Sequence, residues 1–244
     1  LPRPRVVIGI PSNITEVEKK AVEDAAKNAG ARDVYLIEEP MAAAIGSRMQ
    51  IQEPQGNMIV DIGGGTTDVA IISLGGMVVA RNIKIAGDKL INDIVQYAKD
   101  EYNLLLGEKM AEEIKIAVGS AYELPEPLEA IMRGRDLVSG LPKEVVVDDR
   151  EIRSVLDKSI KILVETVKSA IEEAPPELVA DIMHNGIMLA GGGSLLRGLD
   201  KRIAEETLMP VHICEDPLTA VVRGTGIILE DLDNLREVLA KTDY

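Results

Sequence analysis

A glycine-rich turn flanked by carboxylates is the first feature of this sequence that could do chemistry. Two apolar, β-rich segments are separated by Gly63, Gly64, Gly65 and Thr66, with Asp61 just before this turn and Asp68 just after it. The glycines could simply supply the positive φ angles of a tight turn. Their bare backbone amides could equally form a concave nest that binds phosphate oxygens. The segment by itself leaves both interpretations open.

Asp61 and Thr66 carry the side chains that could act on a bound phosphate. Asp61 ends an apolar segment, so its carboxylate could cap the turn, or it could bind Mg²⁺ directly or through water. Thr66 could be an ordinary β-former, or its hydroxyl could bind a terminal phosphate or an attacking water. Each residue therefore has a structural and a catalytic interpretation.

Two further pairs of charged residues have similar alternatives. Glu38 and Glu39 immediately precede Pro40, where a helix is expected to begin. They could complement the helix dipole, or one of them could orient water above a phosphate site. Glu112 and Lys115 are spaced i, i+3 on a predicted helix, a spacing that by itself favours an exposed ion pair.

A second glycine triplet, Gly191, Gly192 and Gly193, follows another short apolar segment and precedes a helical pattern. A helix N-terminus favours an anion or the polar edge of a ring. Neither triplet is followed by Lys and Ser or Thr as in a P-loop, and neither has the spacing of a dinucleotide-binding loop. The two triplets therefore do not belong to either of these common phosphate motifs.

These residues need a framework of strands and helices to position them. Strands are predicted at residues 6–10 and 33–37, joined by a helix that is capped by Ser12 or Asn13 and ends at Ala29, with Gly30 as the terminating glycine. This order predicts parallel strands with a crossover helix. Segments 57–62, 67–74 and 77–85 are joined by turns so short that they predict an antiparallel meander.

The rest of the chain is predicted to be mainly helical. Helices are expected at 88–101, 108–121, 150–173 and 177–183, with a small strand-rich insertion at 122–150. Strands are expected at 187–190 and 211–214. The second glycine triplet should open a helix, and the chain beyond Asp216 should be mostly helical.

Composition excludes several classes of protein. The 244 residues include 27 basic and 41 acidic side chains, and the net charge of −14 argues against binding a nucleic-acid backbone. The single cysteine, Cys214, cannot form an internal disulfide, and no Cys/His spacing is typical of a zinc site. No uninterrupted apolar stretch reaches the roughly 20 residues of a membrane helix. Any anionic ligand must be held by local features, because the overall field opposes it.

Taken in order, the motifs resemble those of the actin-like ATPase superfamily, and among its branches they are most similar to the MreB family of bacterial cell-shape proteins. The phrases that carry the resemblance are VVIGIPS, LIEEPMAAAIG, VDIGGGTTDVAIISLGG, AEEIKIAVGSAYE, GIMLAGGGSLLRGLDKRIAEE and EDPLTAVVRGTGIIL. The resemblance covers essentially the whole chain. It implies an α/β fold of the actin-like, ribonuclease H-like type, with a mixed sheet and helices on both faces.

The resemblance also assigns roles to individual residues. It places Asp61 near the Mg²⁺ of bound ATP, and Glu39 with Thr66 as the catalytic residues that position the hydrolytic water. The second phosphate loop would consist of Gly63, Gly64, Gly65 and Thr66. Glu112 and Lys115 would lie beside the adenosine, and the adenine-side loop would consist of Gly191, Gly192, Gly193, Ser194 and Leu195. Asp68 keeps only a structural role.

At the level of the whole protein, the resemblance implies that ATP binding and hydrolysis between two lobes drive polymerisation. The filaments would organise cell-wall synthesis and rod shape. The expected partners are other copies of the chain, the cell-wall elongation machinery and the membrane, and no nucleic acid. The expected location is the cytoplasm, at the inner face of the cell membrane.

One departure from the family concerns the start of the chain. The family begins with a phosphate loop of the form DxGT and a further subdomain, which includes the membrane-contacting segment, and neither is present in this sequence. We therefore expect an N-terminally truncated protein. Residues 1–56 would be a remnant of lobe I, with a C-terminal helix at 216–244 packed against them. Residues 57–215 would form lobe II, with a small inserted subdomain at about 88–150. The 244 residues alone should bind nucleotide weakly and turn over little ATP.

Two alternatives remain open from the sequence. The chain could be a non-catalytic polymerisation module, in which lobe II mainly makes filament contacts. It could also be another actin-superfamily ATPase, such as a DnaK-type chaperone, although a chaperone of that type is expected to differ around the second glycine triplet and to continue into a peptide-binding domain.

Overall fold

The computed structural model describes residues 3–240, and its first sheet has two parallel strands. β1 (Arg5–Ile10) pairs with β2 (Asp33–Glu38), and α1 (Glu16–Asn28) connects them, as the β-α-β order predicted. The predicted cap at Ser12 or Asn13 is wrong. Asn13 has a left-handed φ of 65°, whereas the extended residue before the helix is Thr15, which forms a reciprocal capping box with Glu18.

The main sheet has five strands in the order β10-β9-β3-β4-β5. β3 (Asn57–Ile62), β4 (Thr67–Ser73) and β5 (Gly76–Ile83) form the predicted antiparallel meander. β9 (Ile187–Ala190) lies parallel to β3, and β10 (Val211–Ile213) lies parallel to β9. The sheet is therefore mixed, and β3 is buried along its whole length because it has a neighbour on each side and helices on both faces.

The helices flank this sheet and carry a small third sheet. They are α3 (Gly87–Tyr102), α4 (Glu108–Val118), α5 (Asp149–Glu173), α6 (Pro176–Asn185) and α7 (Leu199–Thr207). The strand-rich insertion is a hairpin of β7 (Glu129–Asp136) and β8 (Pro142–Asp148), to which β6 (Leu104–Leu105) adds a short edge that the sequence did not indicate. The second glycine triplet opens only a short 3₁₀ turn, Gly192–Leu195, and α7 begins later, at Leu199.

Two helices that are distant in sequence cross in direct backbone contact. α2 (Glu39–Gly46) and α8 (Ala220–Glu230) approach so closely that a Cβ on Gly46 would lie 1.9 Å from the Ala220 carbonyl oxygen. The reciprocal contact is similar, since a Cβ on Gly224 would lie 1.8 Å from the Ala42 oxygen. The predicted helix over 216–244 is shorter than expected, because α8 ends at Glu230 and only a 3₁₀ turn, Arg236–Val238, follows. Residues 241–244 lie outside the described part of the chain.

Alternating residues of the meander supply two hydrophobic cores, one on each face of the main sheet. Met58 and Val60 of β3 belong to the core that includes α3, α4 and α5, whereas Ile59 belongs to the core that includes α2 and α8. This arrangement confirms the predicted α/β class with helices on both faces of a mixed sheet. Among residues 3–240, no helix is both long and apolar enough to cross a membrane.

Candidate functional site

A cavity of about 870 Å³ lies where the meander, α3, α4, the second glycine triplet and the start of α8 meet. It is of the size that small-molecule sites usually have. The cavity brings together residues that are far apart in sequence. Among them are the predicted site residues Glu39, Asp61, Gly63, Gly64, Gly65, Thr66, Glu112, Lys115, Gly191, Gly192, Gly193 and Leu195. Ser194 is the predicted residue that does not line it.

The turn between β3 and β4 is held from one side by the first residues of α3. The Gly63 carbonyl accepts from the Gly87 amide at 3.1 Å, and the Gly64 carbonyl accepts from the Asp88 amide at 2.8 Å. In a trans peptide the next N–H points opposite to the carbonyl. The amides of Gly64 and Gly65 therefore point away from α3, and no acceptor within residues 3–240 pairs with them. The loop thus presents two adjacent free N–H donors.

Backbone conformation does not explain these glycines. None of Gly63, Gly64 and Gly65 has a positive φ angle, so the explanation by a left-handed turn does not apply to them. Space does not explain Gly64 or Gly65 either, because a Cβ on Gly64 would meet nothing closer than Asp88 Oδ1 at 3.6 Å. The fold itself would therefore accept alanine at Gly64 and Gly65. The remaining physical reason for glycine at these positions is the space that a ligand would need.

The carboxylates of Asp61 and Glu39 share the cavity. Asp61 is only 6% exposed, and no hydrogen bond or ion pair reaches its carboxylate from the described residues 3–240. Burial, together with the charges of Glu39 and Asp68, raises the pKa of Asp61 to about 7. Burial and, to a lesser extent, Asp68 also raise the pKa of Glu39. A cation would relieve this uncompensated negative charge.

The few carboxylates at this site suit a cation that takes most of its ligands from water and phosphate and few from protein side chains. Within residues 3–240 no group of three or more His, Cys, Asp or Glu side chains could enclose a metal ion. Mg²⁺ characteristically takes one or two protein carboxylates and completes its shell with water and phosphate oxygens. Asp61 beside a loop with two free N–H donors fits that requirement.

The two adjacent threonines have different environments. The Thr67 hydroxyl is buried and donates to the Ile85 carbonyl at 2.7 Å, so it ties the meander to the segment before α3. The Thr66 side chain lines the cavity, and its hydroxyl has no hydrogen-bond partner within residues 3–240. Thr66 rather than Thr67 is thus available to a ligand or a water.

The second glycine triplet is packed against the first loop. Gly191 has φ 77°, and a Cβ there would lie 2.3 Å from the Ile62 carbonyl oxygen. A Cβ on Gly193 would lie 2.3 Å from Ile62 Cγ2. Gly191 is therefore required by the close approach of the Ile62 backbone and Gly193 by the Ile62 side chain, unlike the glycines of the first loop. Ser194 is fully buried, and its hydroxyl donates to the Gly191 carbonyl at 2.6 Å, so it supports the loop from beneath.

Helix α4 provides the opposite wall. Among the described residues no ion pair joins Glu112 and Lys115, so the exposed ion pair that their spacing favoured is not formed. Lys115 instead reaches across towards α3, with Nζ 3.5 Å from the position that a Cβ on Gly87 would occupy. Arg197 donates to the Ile116 carbonyl at 2.6 Å and thereby ties the second glycine loop to α4.

Several lining residues were missed by the sequence analysis. Gly87 and Asp88 at the start of α3 hold the first loop, and Ile116, Leu218 and Val221 add apolar surface. The signal for the first pair is a Gly-Asp sequence at a strand–helix junction, which by itself indicates only a helix start. Leu218 and Val221 lie within the motif EDPLTAVVRG, which contributes to the resemblance but does not by itself indicate a cavity wall.

The matching family model and two similar curated proteins indicate the same family. The family model described as MreB/Mbl protein matches residues 1–237. The cell shape-determining protein Mbl of Bacillus subtilis is 48% identical over 233 residues, which are 96% of this chain and 70% of that protein. The cell shape-determining protein MreB of Escherichia coli is 47% identical over 232 residues, which are 95% of this chain and 67% of that protein.

Solved structures agree with the fold. MreB5 of Spiroplasma citri bound to ADP superposes with a TM-score of 0.91 at 42% identity, covering 95% of this chain and 71% of that one. The same protein bound to AMPPNP superposes with a TM-score of 0.90. The MamK double helical filament is similar in fold alone, with a TM-score of 0.76 at 22% identity over 93% of this chain and 69% of that one.

Proposed function

Since the chain belongs to the MreB/Mbl family, we propose that it is an ATP-binding, filament-forming bacterial actin homologue that organises cell-wall synthesis and rod shape. Its relatives are named as cell shape-determining proteins, and its structural neighbour MreB5 has been solved with ADP and with AMPPNP. The same kind of nucleotide would occupy the cavity described above.

The observation that carries the proposal is the pair of free amides in the first glycine loop. The amides of Gly64 and Gly65 are fixed in one direction by α3, and neither φ angle nor space requires glycine at these positions. Two adjacent N–H groups on a surface without side chains match the oxygens of a phosphate group. We assign this loop to the β- and γ-phosphates.

The remaining site residues follow from their positions around that loop. Asp61 would hold Mg²⁺, which when bound neutralises charge on the phosphates. Glu39 and Thr66 would orient the attacking water, and the raised pKa of Glu39 makes its carboxylate a better proton acceptor than an exposed glutamate. Phosphoryl transfer to water needs no covalent intermediate, so positioning and charge are what these residues contribute. Glu112, Lys115 and the second glycine loop would contact the nucleoside.

The domain organisation that we propose keeps the sequence-based division. Residues 1–56 together with α8 would belong to lobe I, and residues 57–215 would form lobe II with an inserted subdomain at about 88–150. The packing of α8 on α2 and β1 supports the first assignment, and the separate β6-β7-β8 sheet supports the inserted subdomain. Polymerisation with other copies, contact with the elongation machinery and attachment to the inner face of the membrane in the cytoplasm are parts of the same proposal.

The test is a measurement of ATP binding and phosphate release by the chain and its variants. We expect binding to be weak and phosphate release to be slow and Mg²⁺-dependent. Glu39→Gln should lower the release rate roughly 10²- to 10⁴-fold, the usual contribution of general acid–base groups, while the ATP dissociation constant stays within about threefold.

A matched pair on α4 tests the nucleoside wall. Glu112→Gln should weaken ATP binding, whereas Glu113→Gln removes an equal charge from an exposed neighbour that does not line the cavity and should leave it unchanged. Equal effects of the two would refute the assignment of α4. Polymer that sediments without nucleotide and is insensitive to Asp61→Ala would instead favour the non-catalytic assembly module.

A further inference from the structure

Asp68 lies outside the cavity but is one of the most enclosed charged residues of the chain. Its side chain is on β4 and the residue is 1% exposed. One carboxylate oxygen, Oδ1, accepts from the backbone amide of Ser12 at 3.0 Å. The other, Oδ2, accepts from the Asn82 side chain on β5 at 2.9 Å. The carboxylate is thus held at both oxygens, by one donor from the loop after β1 and one from β5.

The Ser12 end of this contact lies beside the proposed water-orienting residue. Ser12 lies two residues after the end of β1 and is 3% exposed. The last residue of β1, Ile10, pairs with Glu38, so the end of β1 is in register with the start of α2. A Cβ on Gly9 would lie 3.4 Å from Cγ of Glu39, which places the end of β1 directly against that side chain.

The other end of the contact lies beside the proposed metal ligand. Asp68 is the cross-strand partner of Asp61 in the antiparallel pair of β3 and β4, and Asn82 is in turn the partner of Asp68 on β5. Directly opposed residues of an antiparallel pair lie on the same face. Within residues 3–240 no strand of the two-stranded sheet pairs with a strand of the five-stranded sheet, so the Asp68–Ser12 bond is a direct polar link between β4 and the loop that follows β1.

We propose that Asp68 is a positioning residue. Its hydrogen bond from the Ser12 amide, which we call the clasp, holds Glu39 at a set distance from Asp61 and the phosphate loop. The inference rests on the proposed function, and it assigns to Asp68 a part in hydrolysis without contact to nucleotide. Both oxygens already have donors, so we assign the part of Asp68 in hydrolysis to its hydrogen bonds. Its charge contributes less than burial to the raised pKa of Glu39. Misplacement of a reacting group by about 1 Å can cost roughly 10²-fold in rate, so loss of this bond should be visible in turnover.

Two substitutions separate the hydrogen bonds from the charge. Asp68→Ala removes both bonds. Asp68→Asn keeps an oxygen for the Ser12 amide, and the Asn82 amide can turn over to offer its own oxygen to the new NH₂ group. We expect Asp68→Ala to lower the maximal rate of phosphate release at least about tenfold, with the ATP dissociation constant changed less than about threefold. Asp68→Asn should recover the rate to within about threefold of wild type.

The outcomes are decisive in either direction. A rate for Asp68→Asn as low as that for Asp68→Ala would show that the charge, and not the clasp, is needed, and it would overturn the proposal. An unchanged rate for Asp68→Ala would do the same. If Asp68→Ala does not fold, Asp68→Asn alone still decides, because a rate more than about threefold below wild type contradicts a role through hydrogen bonds.

Hydrogen exchange tests the clasp without any assay of ATP. The Ser12 amide should be protected in the wild type and in Asp68→Asn, and should exchange faster in Asp68→Ala. An unprotected Ser12 amide in the wild type would refute the clasp itself. Protection at Ser12 in a chain that binds and hydrolyses no ATP would instead refute the proposed function, so the two failures are distinguishable.

Discussion

Replacing Asp61 by Asn should make the stability of the nucleotide-free protein less sensitive to a rise in pH from the acid range through neutrality. Asp61 is buried without a hydrogen-bond donor or cation among the described residues, and its pKa is raised from 3.8 to about 7. The stabilising contribution of Asp61 is therefore fully present below pH 3.8, where its carboxyl group is protonated in both the folded and the unfolded protein. This contribution is lost as the pH rises through the folded-state pKa of about 7. Asn has nearly the same shape and stays neutral at every pH.

The size of the effect follows from the shift. One pKa unit corresponds to about 1.4 kcal/mol, so ionising Asp61 costs the folded state roughly 4 kcal/mol once the pH exceeds its folded pKa. Roughly 2.5 kcal/mol of this loss falls between pH 5 and pH 8. The free energy of unfolding of Asp61→Asn relative to wild type should therefore rise by about that amount across this interval.

Urea unfolding of both proteins at pH 5 and pH 8, in EDTA and without nucleotide, measures this double difference. Titrations of the other carboxylates cancel because both proteins share them. A difference that stays constant within about 0.5 kcal/mol would refute the reasoning, since it would mean that Asp61 is ionised in the fold without penalty. Adding Mg²⁺ and ATP should then stabilise the wild type more than the variant, because only the wild type offers the cation a carboxylate.

The remaining predictions concern glycines and a cap, each measured by thermal or urea unfolding. Gly224→Ala should destabilise the protein by roughly 1–3 kcal/mol because its Cβ would overlap the Ala42 carbonyl, whereas Gly226→Ala on the same helix meets nothing within 4 Å and should stabilise by up to about 1 kcal/mol. Gly191→Ala should destabilise because of its positive φ angle, whereas Gly64→Ala should keep the stability and weaken ATP binding. Thr15→Ala should cost about 1 kcal/mol by removing the cap of α1.

The fold was largely predictable because its local signals agree with one another. The three segments of the meander are separated by turns that allow only hairpins, and β3, β4 and β5 follow them within about two residues at each end. The cap of α1 was predicted two residues too early, because Asn13 and Glu16 have the same spacing as the pair that forms the box, Thr15 and Glu18. Two matching patterns in one short segment cannot be ranked without the backbone angle at Asn13.

The site was predictable only where residue type alone implies chemistry. The glycine loop, Asp61 and Glu39 combine unusual composition with strand and helix ends. Asp88 and Arg197 could not be recognised, because an Asp at a helix start and a surface Arg are common, and their importance depends on the loop that each one reaches in space. For the same reason the sequence indicated only a structural role for Asp68, whose partner Ser12 lies 56 positions away.

The crossing of α2 and α8, where the two backbones are in direct contact, has a consequence for the order in which the protein can fold. Every residue of α2 after Glu39 is buried, and α8, the helix that it crosses, is synthesised long after it. A contact between such distant segments closes a long loop and forms slowly. During synthesis, the surface of α2 that α8 covers, which is lined by small apolar residues, therefore stays exposed to water until α8 has left the ribosome. Since Glu39 begins α2 and Val221 lies in α8, the cavity gains its last wall in the same late step.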